Sequence, residues 1–572
     1  MRTLLCSIFL LLVSMIWSVR AESLCYPIRG TKQLHSASFG ELRENHFHSG
    51  VDIKTEGEEG RPVVAIADGY IVRVVVSPGG YGRALYVYHP QLKKMSVYAH
   101  LLAFVDVVEQ RVFAEQCRRQ SNRVTIFPNN TEFRVRRGDV IGWSGNSGSS
   151  FGAHLHFELR DASGERVYNV VRQGFMRPAD SVRPQLLRLY RIEVDTIDGV
   201  AVEQIVRLYD ICRHRGGYTI GKEVEIGKNG YFVIECRDRQ NGTINRYGVY
   251  RTTMRVDGRK VFERCADSFT FAESRYCNLI GYYPLMSAAN CEVLRLVRPN
   301  ALPQHLFKTL VDDGRVVADV GQKRRVAIEV EDDCGNVSKI EFTACGANLS
   351  VKYKKRPTDY VVRAGENRTI SGGNVTVTLN EKSLYDTAFC SIEPLNESVE
   401  IESVEVLSSP YRILSADEPL RGYMNIAWRC NVPPHLMRNV ALARSNYRGE
   451  YRYAGGICWG GSMITSQSRT AGEYVVVADT VAPTIKPLKW SRNRLVGLRE
   501  FRFEVKDNFS GIKRYECRIN GCWTPIEYRP IERVLIYRPD KTSQQQQNGN
   551  KAVELRVEDG CGNITRWQGE LP

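Results

Sequence analysis

Short hydrophobic runs that end in glycine or proline recur along the whole chain. The runs at 70–76 (Tyr-Ile-Val-Arg-Val-Val-Val) and 84–88 (Ala-Leu-Tyr-Val-Tyr) are rich in β-branched and aromatic residues, which favour strands. Convincing long amphipathic helices, with apolar residues every three or four positions, are missing from the pattern. The pattern therefore predicts an all-β fold.

A repeat in the second half of the chain indicates related β modules. The segments 326–336 and 553–563 match at seven of eleven positions, and in each an alternating strand runs into an Asp/Gly/Asn turn. A similar strand and turn occur at 501–512. Strands that end in such turns are typical of β-sandwich domains, so we expect immunoglobulin-like modules. The proline-containing segment 479–487 indicates a stiffened junction between two of them.

The N-terminal segment has the composition of a cleaved secretory signal. It combines a basic start, an apolar run at 4–17 and the small residues Val19 and Ala21 before the expected cleavage point. No later segment is long and apolar enough to span a bilayer. The predicted division is a signal peptide at 1–21, a first domain at 22–185, and β domains at 186–346, 347–482 and 483–572.

Composition excludes some functions. With 572 residues the chain is too long for one core, and its formal charge is +15. The basic residues form no dense stripe of the kind that follows phosphates, so no nucleic-acid partner is expected. Export permits disulfides, and no CxxC pair occurs among the 16 cysteines, so disulfides are expected rather than metal ligands. Cys517 and Cys522 are the closest pair, and a disulfide between them could bridge one hairpin.

Seven of the ten histidines fall between positions 35 and 156, which points to metal or acid–base chemistry in the first domain. In the run 154–158 (His-Leu-His-Phe-Glu), alternate side chains of a strand share a face roughly 6.6 Å apart. His154 and His156 can therefore address one site, one as a ligand and the other beside it. His35, His46 and His89 are expected to be ordinary surface or core residues.

A second patch at 45–52 completes a candidate metal site. A straight strand would hold His48 and Asp52 about 13 Å apart, but Ser49 and Gly50 between them supply a bend. Two imidazoles and one carboxylate with an open fourth position are the recurring composition of a hydrolytic zinc site. Zinc lowers the pKa of a bound water and polarises a scissile carbonyl. His100 and His154 are then left as acid–base and transition-state groups.

Seven motifs follow one another in order between about 39 and 160, a fifth of the chain: His48-Ser-Gly-Val-Asp52, Gly60-Arg-Pro-Val-Val-Ala-Ile-Ala-Asp-Gly69, Gly80-Tyr-Gly82, Tyr98-Ala-His-Leu101, Gly138-Asp-Val-Ile-Gly142, Ser144-Gly-Asn-Ser-Gly148 and His154-Leu-His-Phe-Glu158. On these motifs the chain strongly resembles the lysostaphin/LytM family of zinc endopeptidases, which cut peptide cross-links of bacterial peptidoglycan.

The resemblance implies the roles of five residues. His48, Asp52 and His156 would bind one zinc ion, and His100 and His154 would be the catalytic histidines. It also implies a LytM-type antiparallel β-sheet domain that hydrolyses peptide bonds in peptidoglycan stem peptides or cross-links. The multi-domain arrangement resembles exported members from Gram-negative bacteria, so we expect the periplasm or the outer cell envelope as the location.

The chain departs from compact family members in two places. The segment 103–137 is longer than in those members, and we expect it to cap the groove, with a bridge from Cys117 to Cys25. The tail carries no recognised wall-binding repeat, only the β modules, which could hold envelope protein partners or act as spacers.

Two other functions are consistent with the sequence. Some LytM-like domains are non-catalytic activators of other cell-wall hydrolases, but those typically lack zinc ligands, whereas all five key residues are present here. The alternative of an envelope adhesin or scaffold places the main function in the β modules.

Overall fold

The computed structural model describes residues 24–214, 216–460, 463–539 and 551–571. The expected signal peptide at 1–21 lies outside these ranges. Strands dominate the described chain, which confirms the all-β prediction. No helix in these ranges is long and apolar enough to cross a membrane.

The first domain is built on a large antiparallel sheet and a smaller three-stranded one. In the large sheet the strand order is β1-β4-β13-β8-β7-β6-β10, and the small sheet has the order β5-β12-β9. The elements are β1 (His35–Ala37), β2 (Leu42–Arg43), β3 (His46–Phe47), β4 (Val51–Lys54), β5 (Pro62–Val64), β6 (Gly69–Val76), β7 (Arg83–His89), β8 (Lys94–Ala99), β9 (Leu101–Phe104), α1 (Asp106–Arg119), β10 (Val124–Ile126), β11 (Arg134–Val135), β12 (Val140–Ser144), β13 (His154–Asp161) and β14 (Arg166–Tyr168).

Helix α1 is the longest described helix and lies in the segment 103–137. Its apolar side packs inward through Val108 and Val112, which are each 1% exposed. Acidic residues occupy its first turn and basic residues its last turn, an arrangement that complements the helix dipole. After the helix, β10 adds to the outer edge of the large sheet by pairing with β6.

The next part of the chain forms an eleven-stranded sheet and also contributes to the first domain. Strand β22 pairs with β14 and so extends the large sheet. The elements are β15 (Gln185–Ile197), β16 (Val200–His214), β17 (Gly217–Ile220), β18 (Val224–Ile226), β19 (Gly230–Arg237), β20 (Arg251–Val256), β21 (Arg259–Cys265), β22 (Ser268–Thr270), α2 (Cys277–Ile280), α3 (Tyr283–Met286), β23 (Glu292–Arg295), β24 (Phe307–Leu310), β25 (Lys323–Glu331) and β26 (Val337–Gly346), with 3-10 turns at Phe271–Tyr276, Gln304–Leu306 and Asp312–Gly314.

Two sheets of five and six strands, with the pair β27–β30, follow. Trp428 and Tyr474 are the largest fully buried side chains in their common core. The elements are β27 (Tyr360–Val362), β28 (Arg368–Gly372), β29 (Val375–Leu379), β30 (Ala388–Cys390), β31 (Ile392–Pro394), β32 (Glu405–Val406), β33 (Tyr411–Ile413), β34 (Met424–Arg429), β35 (Val440–Ser445), β36 (Tyr451–Gly456), β37 (Cys458–Gly460), β38 (Met463–Ser468) and β39 (Gly472–Ala478), with a 3-10 turn at Pro434–Leu436.

The C-terminal part is a sandwich of two four-stranded sheets, β40-β41-β45-β44 and β43-β42-β46-β47. Phe503 of one sheet contacts Trp567 of the other, with ring centroids 5.3 Å apart. The strands are β40 (Thr484–Arg492), β41 (Arg499–Lys506), β42 (Ile512–Ile519), β43 (Cys522–Trp523), β44 (Glu527–Arg529), β45 (Val534–Tyr537), β46 (Lys551–Asp559) and β47 (Ile564–Leu571).

The buried apolar residues fall into three main clusters, within 28–344, 362–478 and 501–571. The first two predicted domains thus share one continuous core. The immunoglobulin-like character of the modules and the exact boundaries remain predictions.

The expectation of disulfides is wrong for the pairs we considered. Cys517 is fully buried in the C-terminal core, whereas Cys522 is exposed, and both are thiols. Cys25 is also a thiol, so the expected bridge to Cys117 does not form.

Candidate metal centre and groove

Strand register places two of the predicted ligands beside each other. His156 of β13 is the direct partner of Asp52 of β4 in their antiparallel pairing. Directly paired residues project to the same face of a sheet, so both side chains enter one site. Ala99 of β8 pairs with His156 from the other side, which brings the following residue, His100, to the same end of the sheet.

His48 reaches the site from the loop between β3 and β4. The loop lies directly against β13: a Cβ atom at Gly50 would meet the backbone oxygen of Phe157 at 2.2 Å. Only glycine permits such an approach. The predicted bend at Ser49 and Gly50 therefore also packs closely against β13, and this contact fixes the position of the loop relative to the strand.

The three predicted ligands converge on one point. His156 Nδ1 lies 2.8 Å from Asp52 Oδ1, and His48 Nε2 lies 3.1 Å from both of these atoms. A tetrahedral zinc ion with ligands at about 2.0–2.1 Å holds its donor atoms roughly 3.3 Å apart. The donor set and its spacing therefore fit one zinc ion, with a fourth position open towards the groove.

The other ring nitrogen of each candidate ligand histidine contacts an oxygen atom. His48 Nδ1 donates to the carbonyl oxygen of Ser38 at 2.7 Å, and His156 Nε2 donates to Glu158 Oε1 at 2.8 Å. These contacts fix the tautomers, so that His48 offers Nε2 and His156 offers Nδ1 to a metal. Outer partners of this kind are a recurrent feature of metal sites.

Glu158 is the centre of a buried polar network. Its side chain is fully buried, and Oε1 accepts hydrogen bonds from Ser49 Oγ and Tyr81 Oη, each at 2.6 Å. Its other oxygen accepts from Arg160 Nε at 2.6 Å. The network explains how a carboxylate can remain charged at this depth, since each of its oxygens has a strong donor.

The two predicted catalytic histidines lie side by side next to the ligands. The ring centroids of His100 and His154 are 4.8 Å apart. His100 Nδ1 donates to the carbonyl oxygen of Ser147, and His154 Nδ1 donates to that of Gly152, each at 2.8 Å. His100 therefore keeps Nε2 for a substrate or water, whereas His154 Nε2 lies 3.5 Å from Asp52 Oδ1, beside the three predicted ligands.

His100 holds this place in an unusual backbone conformation. Its φ angle is 60°, in the left-handed region that non-glycine residues seldom adopt. Its N–H donates to the carbonyl oxygen of Tyr81 at 2.9 Å, and its ring is tied to Ser147. Strain of this type persists where the surroundings determine the conformation, and it is concentrated at functional sites.

Charge balance in the site is reflected in the pKa values. Burial alone would raise the pKa of Asp52, but the charges of His48 and His154 hold it well below its usual range. Burial opposes protonation of His156, yet hydrogen bonds to Asp52 and Glu158 raise its pKa to about 9. Burial lowers the pKa of His100 to about 3, with further lowering by the neighbouring histidines.

The site opens into a groove of about 780 Å³. Phe151 stands on its rim with 89% of its surface exposed. His46 also lines this groove and is exposed, while His35 and His89 are buried away from it. No described residue of 103–137 lines the groove, so the expectation that this segment caps it is wrong.

The residues that hydrogen-bond to the candidate site histidines were not predicted from the sequence. Glu158 follows His156 by two positions on the same strand, so strand alternation could have placed both on one face. Tyr81 lies in the Gly-Tyr-Gly motif at 80–82, but nothing in that motif indicates a hydrogen bond to Glu158. The carbonyl oxygens of Ser38 and Ser147 carry no sequence signal, because every residue has one.

Comparison with known proteins supports the resemblance for a limited part of the chain. No family model matches it. It is 34% identical over 114 residues to the DD-carboxypeptidase/endopeptidase Mpg of Neisseria meningitidis, covering 20% of each chain. It is 32% identical over 112 residues to an uncharacterized metalloprotease of Haemophilus influenzae, covering 20% of this chain and 18% of that protein. The chain thus spans about a fifth of the length of these relatives.

Among solved structures, the catalytic domain of lysostaphin from Staphylococcus simulans is similar at 23% identity. The match covers 24% of this chain and 89% of that domain, with a TM-score of 0.18. The resemblance of the first domain to this class of peptidase is carried by the two relatives at 34% and 32% identity, one named as an endopeptidase and the other as a metalloprotease.

Proposed function

Because the first domain resembles LytM-type peptidases, we propose that this chain is a zinc-dependent endopeptidase that hydrolyses peptide bonds in peptidoglycan stem peptides or cross-links. The observation that carries the proposal is the convergence of His48, Asp52 and His156 within 3.1 Å, beside the paired imidazoles of His100 and His154. The periplasm or outer envelope of a Gram-negative bacterium is the proposed location.

The proposed ligands are His48 through Nε2, His156 through Nδ1 and Asp52 through Oδ1. Zinc, when bound there, would lower the pKa of a water molecule and polarise a substrate carbonyl. The contacts with Ser38 and Glu158 support this assignment because they occupy the other ring nitrogen of each histidine, so that His48 Nε2 and His156 Nδ1 face the carboxylate of Asp52.

His100 and His154 are the proposed catalytic residues. One imidazole would accept the proton of the attacking water at Nε2, and the other would donate a hydrogen bond to the substrate carbonyl oxygen as it gains negative charge. Their Nδ1 contacts keep both rings oriented towards the groove. The exposed ring of Phe151 on the groove rim would contact the apolar part of a bound peptide.

The activator alternative is less consistent with the site. A protein that only binds other hydrolases has no need for three ligands with ordered outer partners and a second pair of oriented histidines. Metal analysis separates the two functions, because a non-catalytic activator of the degenerate type would contain no stoichiometric zinc.

The test is digestion of peptidoglycan of known chemistry by the mature protein, with mass spectrometry of the released fragments. The name of the Neisseria relative includes both carboxypeptidase and endopeptidase activity, so loss of a terminal residue and cleavage of cross-links are scored separately. We expect His154→Ala to lower hydrolysis by about 10²–10⁴-fold while most zinc stays bound. His48→Ala should lose the metal as well.

A matched control is His46→Ala, which removes an exposed imidazole from the same groove without touching the metal ligands. This variant should keep both zinc and activity. Hydrolysis by His154→Ala at the wild-type rate would show that the assigned mechanism is wrong.

A further inference from the structure

Two groups of three aspartates lie outside the catalytic domain's groove. One carboxylate oxygen from each of Asp180, Asp238 and Asp332 lies within 4.8 Å of the others. The same is true of the second group, which comprises Asp479, Asp507 and Asp559. We call these the first and the second aspartate cluster.

The clusters are built from equivalent positions. Asp332 and Asp559 occupy the same place in the repeated segments 326–336 and 553–563. In both, Oδ1 accepts hydrogen bonds from the backbone N–H groups two and four residues further on, at 2.8–2.9 Å. The repeat therefore reproduces a local geometry as well as a sequence.

The remaining members correspond as well. Asp180 and Asp479 each lie in an Ala-Asp-Ser/Thr-Val segment that precedes a module. The asparagine at the end of each repeat donates to their carbonyl oxygens, at 3.2 Å and 2.7 Å respectively. Asp238 and Asp507 each follow the end of a strand, β19 and β41.

Across the described residues, no lysine or arginine lies within salt-bridge distance of any of the six carboxylates of the two clusters. Asp238 is 5% exposed, and its Oδ1 is buried without a hydrogen-bond partner. Oδ1 of Asp507 is likewise buried and unpartnered. Burial and the nearby carboxylate of Asp332 raise the pKa of Asp238 to about 9.

A buried carboxylate oxygen without a donor is costly unless a cation supplies the missing partner. We propose that each aspartate cluster binds one Ca²⁺ ion. Three carboxylates at one point form an all-oxygen donor set suited to a hard cation, and backbone oxygens and water can complete the six to eight ligands that Ca²⁺ takes. No imidazole belongs to either cluster, so their chemistry is distinct from that of the groove site.

The position of the clusters indicates what the ions would do. Asp180 lies in the segment between β14 and β15, and Asp479 lies between β39 and β40. Each therefore comes from the connection that enters a module, whereas its two partners lie at the ends of strands within that module: β19 and β25 in one, β41 and β46 in the other. A bound ion would tie the connection to the module and stiffen the junction.

The test is calorimetric titration of the full-length, zinc-loaded protein with CaCl₂, with MgCl₂ as a parallel titrant. We expect saturable binding of two Ca²⁺ ions per chain in the wild type. Asp238→Asn and Asp507→Asn each keep the side-chain shape but remove one charge, so each should bind one ion, and the double variant should bind none. Ca²⁺ should also raise the Tm of the wild type more than that of the double variant.

A matched control is Asp210→Asn, which alters a carboxylate that is 81% exposed. This variant should bind two ions. Tb³⁺ provides a measurement without any substitution: its luminescence, sensitised by nearby tyrosines such as Tyr247, should appear with the wild type and be displaced by excess Ca²⁺. Absence of saturable Ca²⁺ binding to the folded wild type, or two ions retained by the double variant, would overturn the proposal.

Discussion

Replacement of Glu158 by glutamine should weaken the metal site without altering its shape. The carboxylate accepts the Nε2–H of His156 at 2.8 Å and therefore holds the ring of this proposed ligand in place. Glutamine has the same shape, but its neutral carbonyl oxygen is a weaker hydrogen-bond acceptor than a carboxylate oxygen. Its NH₂ group would also face one of the donors that contact Glu158, and two donors cannot form a hydrogen bond with each other. Loss of an outer partner of a metal ligand typically lowers metal affinity by about 10–100-fold, and we expect that range here.

The same substitution should destabilise the first domain. Although burial opposes ionisation, Arg160 and His156 hold the pKa of Glu158 at about 2, below its ordinary value of 4.5. A depressed carboxylate pKa contributes stability that is present above pH 4.5 and is lost as the pH falls to 2. The difference corresponds to about 3 kcal/mol. Removal of one partner from a buried ion pair costs a similar amount, about 3–5 kcal/mol.

Two assays test these magnitudes. Competition with a chromophoric chelator at pH 7.5 gives the zinc Kd, and chemical denaturation of the metal-free protein gives the change in stability separately. The control is Glu165→Gln, an exposed carboxylate near the end of the same hairpin, which should change neither quantity. A zinc Kd for Glu158→Gln within twofold of the wild type would refute the argument that the buried carboxylate orients His156.

Three further predictions concern the pH dependence, the loop and the domain contact. The raised pKa of His156, about 9, adds stability to the metal-free protein that is complete below pH 6.5 and is lost as the pH rises through 9. Zinc must displace that proton, so its affinity should rise about tenfold per pH unit from 7 to 9, measured by chelator competition. Gly50→Ala should lower both Tm and zinc content, because its Cβ would meet Phe157 O at 2.2 Å; a wild-type Tm would contradict this. Arg529→Ala breaks the paired contacts of 2.6 Å and 2.9 Å with Glu59, so faster proteolysis of the C-terminal module is expected; Arg529→Lys, which keeps the charge without the paired geometry, should be intermediate.

The convergence of the candidate ligands could be predicted because its signal is local. His154 and His156 alternate along a strand, and the Ser-Gly pair after His48 marks a bend before Asp52, so sequence spacing translates directly into a shared face. The general all-β architecture follows from the same alternation. The spacing of residues along the sequence does not give the register between β4 and β13. That register makes Asp52 and His156 direct neighbours.

The placement of the 103–137 segment could not be predicted for a related reason. Its length and composition indicate an insertion, but the edge of the sheet on which it packs depends on pairing between distant residues. Val124 pairs with Val76, at the edge of the large sheet away from the metal ligands. The disulfide expectation failed although Cys517 and Cys522 are close in sequence, because Cys517 is buried in the core and Cys522 is exposed.

The C-terminal module shows why the modules cannot be described as a simple string of spacers. Its Arg529 is 1% exposed, and the guanidinium contacts Glu59 of the first domain as well as Glu527 and Glu532 of its own module. Its Glu532 accepts a hydrogen bond at 2.8 Å from Asn146, in the glycine-rich loop of the first domain. The next residue of that loop, Ser147, provides the carbonyl oxygen that orients His100. The last module in the sequence is therefore linked, through two adjacent loop residues, to a proposed catalytic histidine.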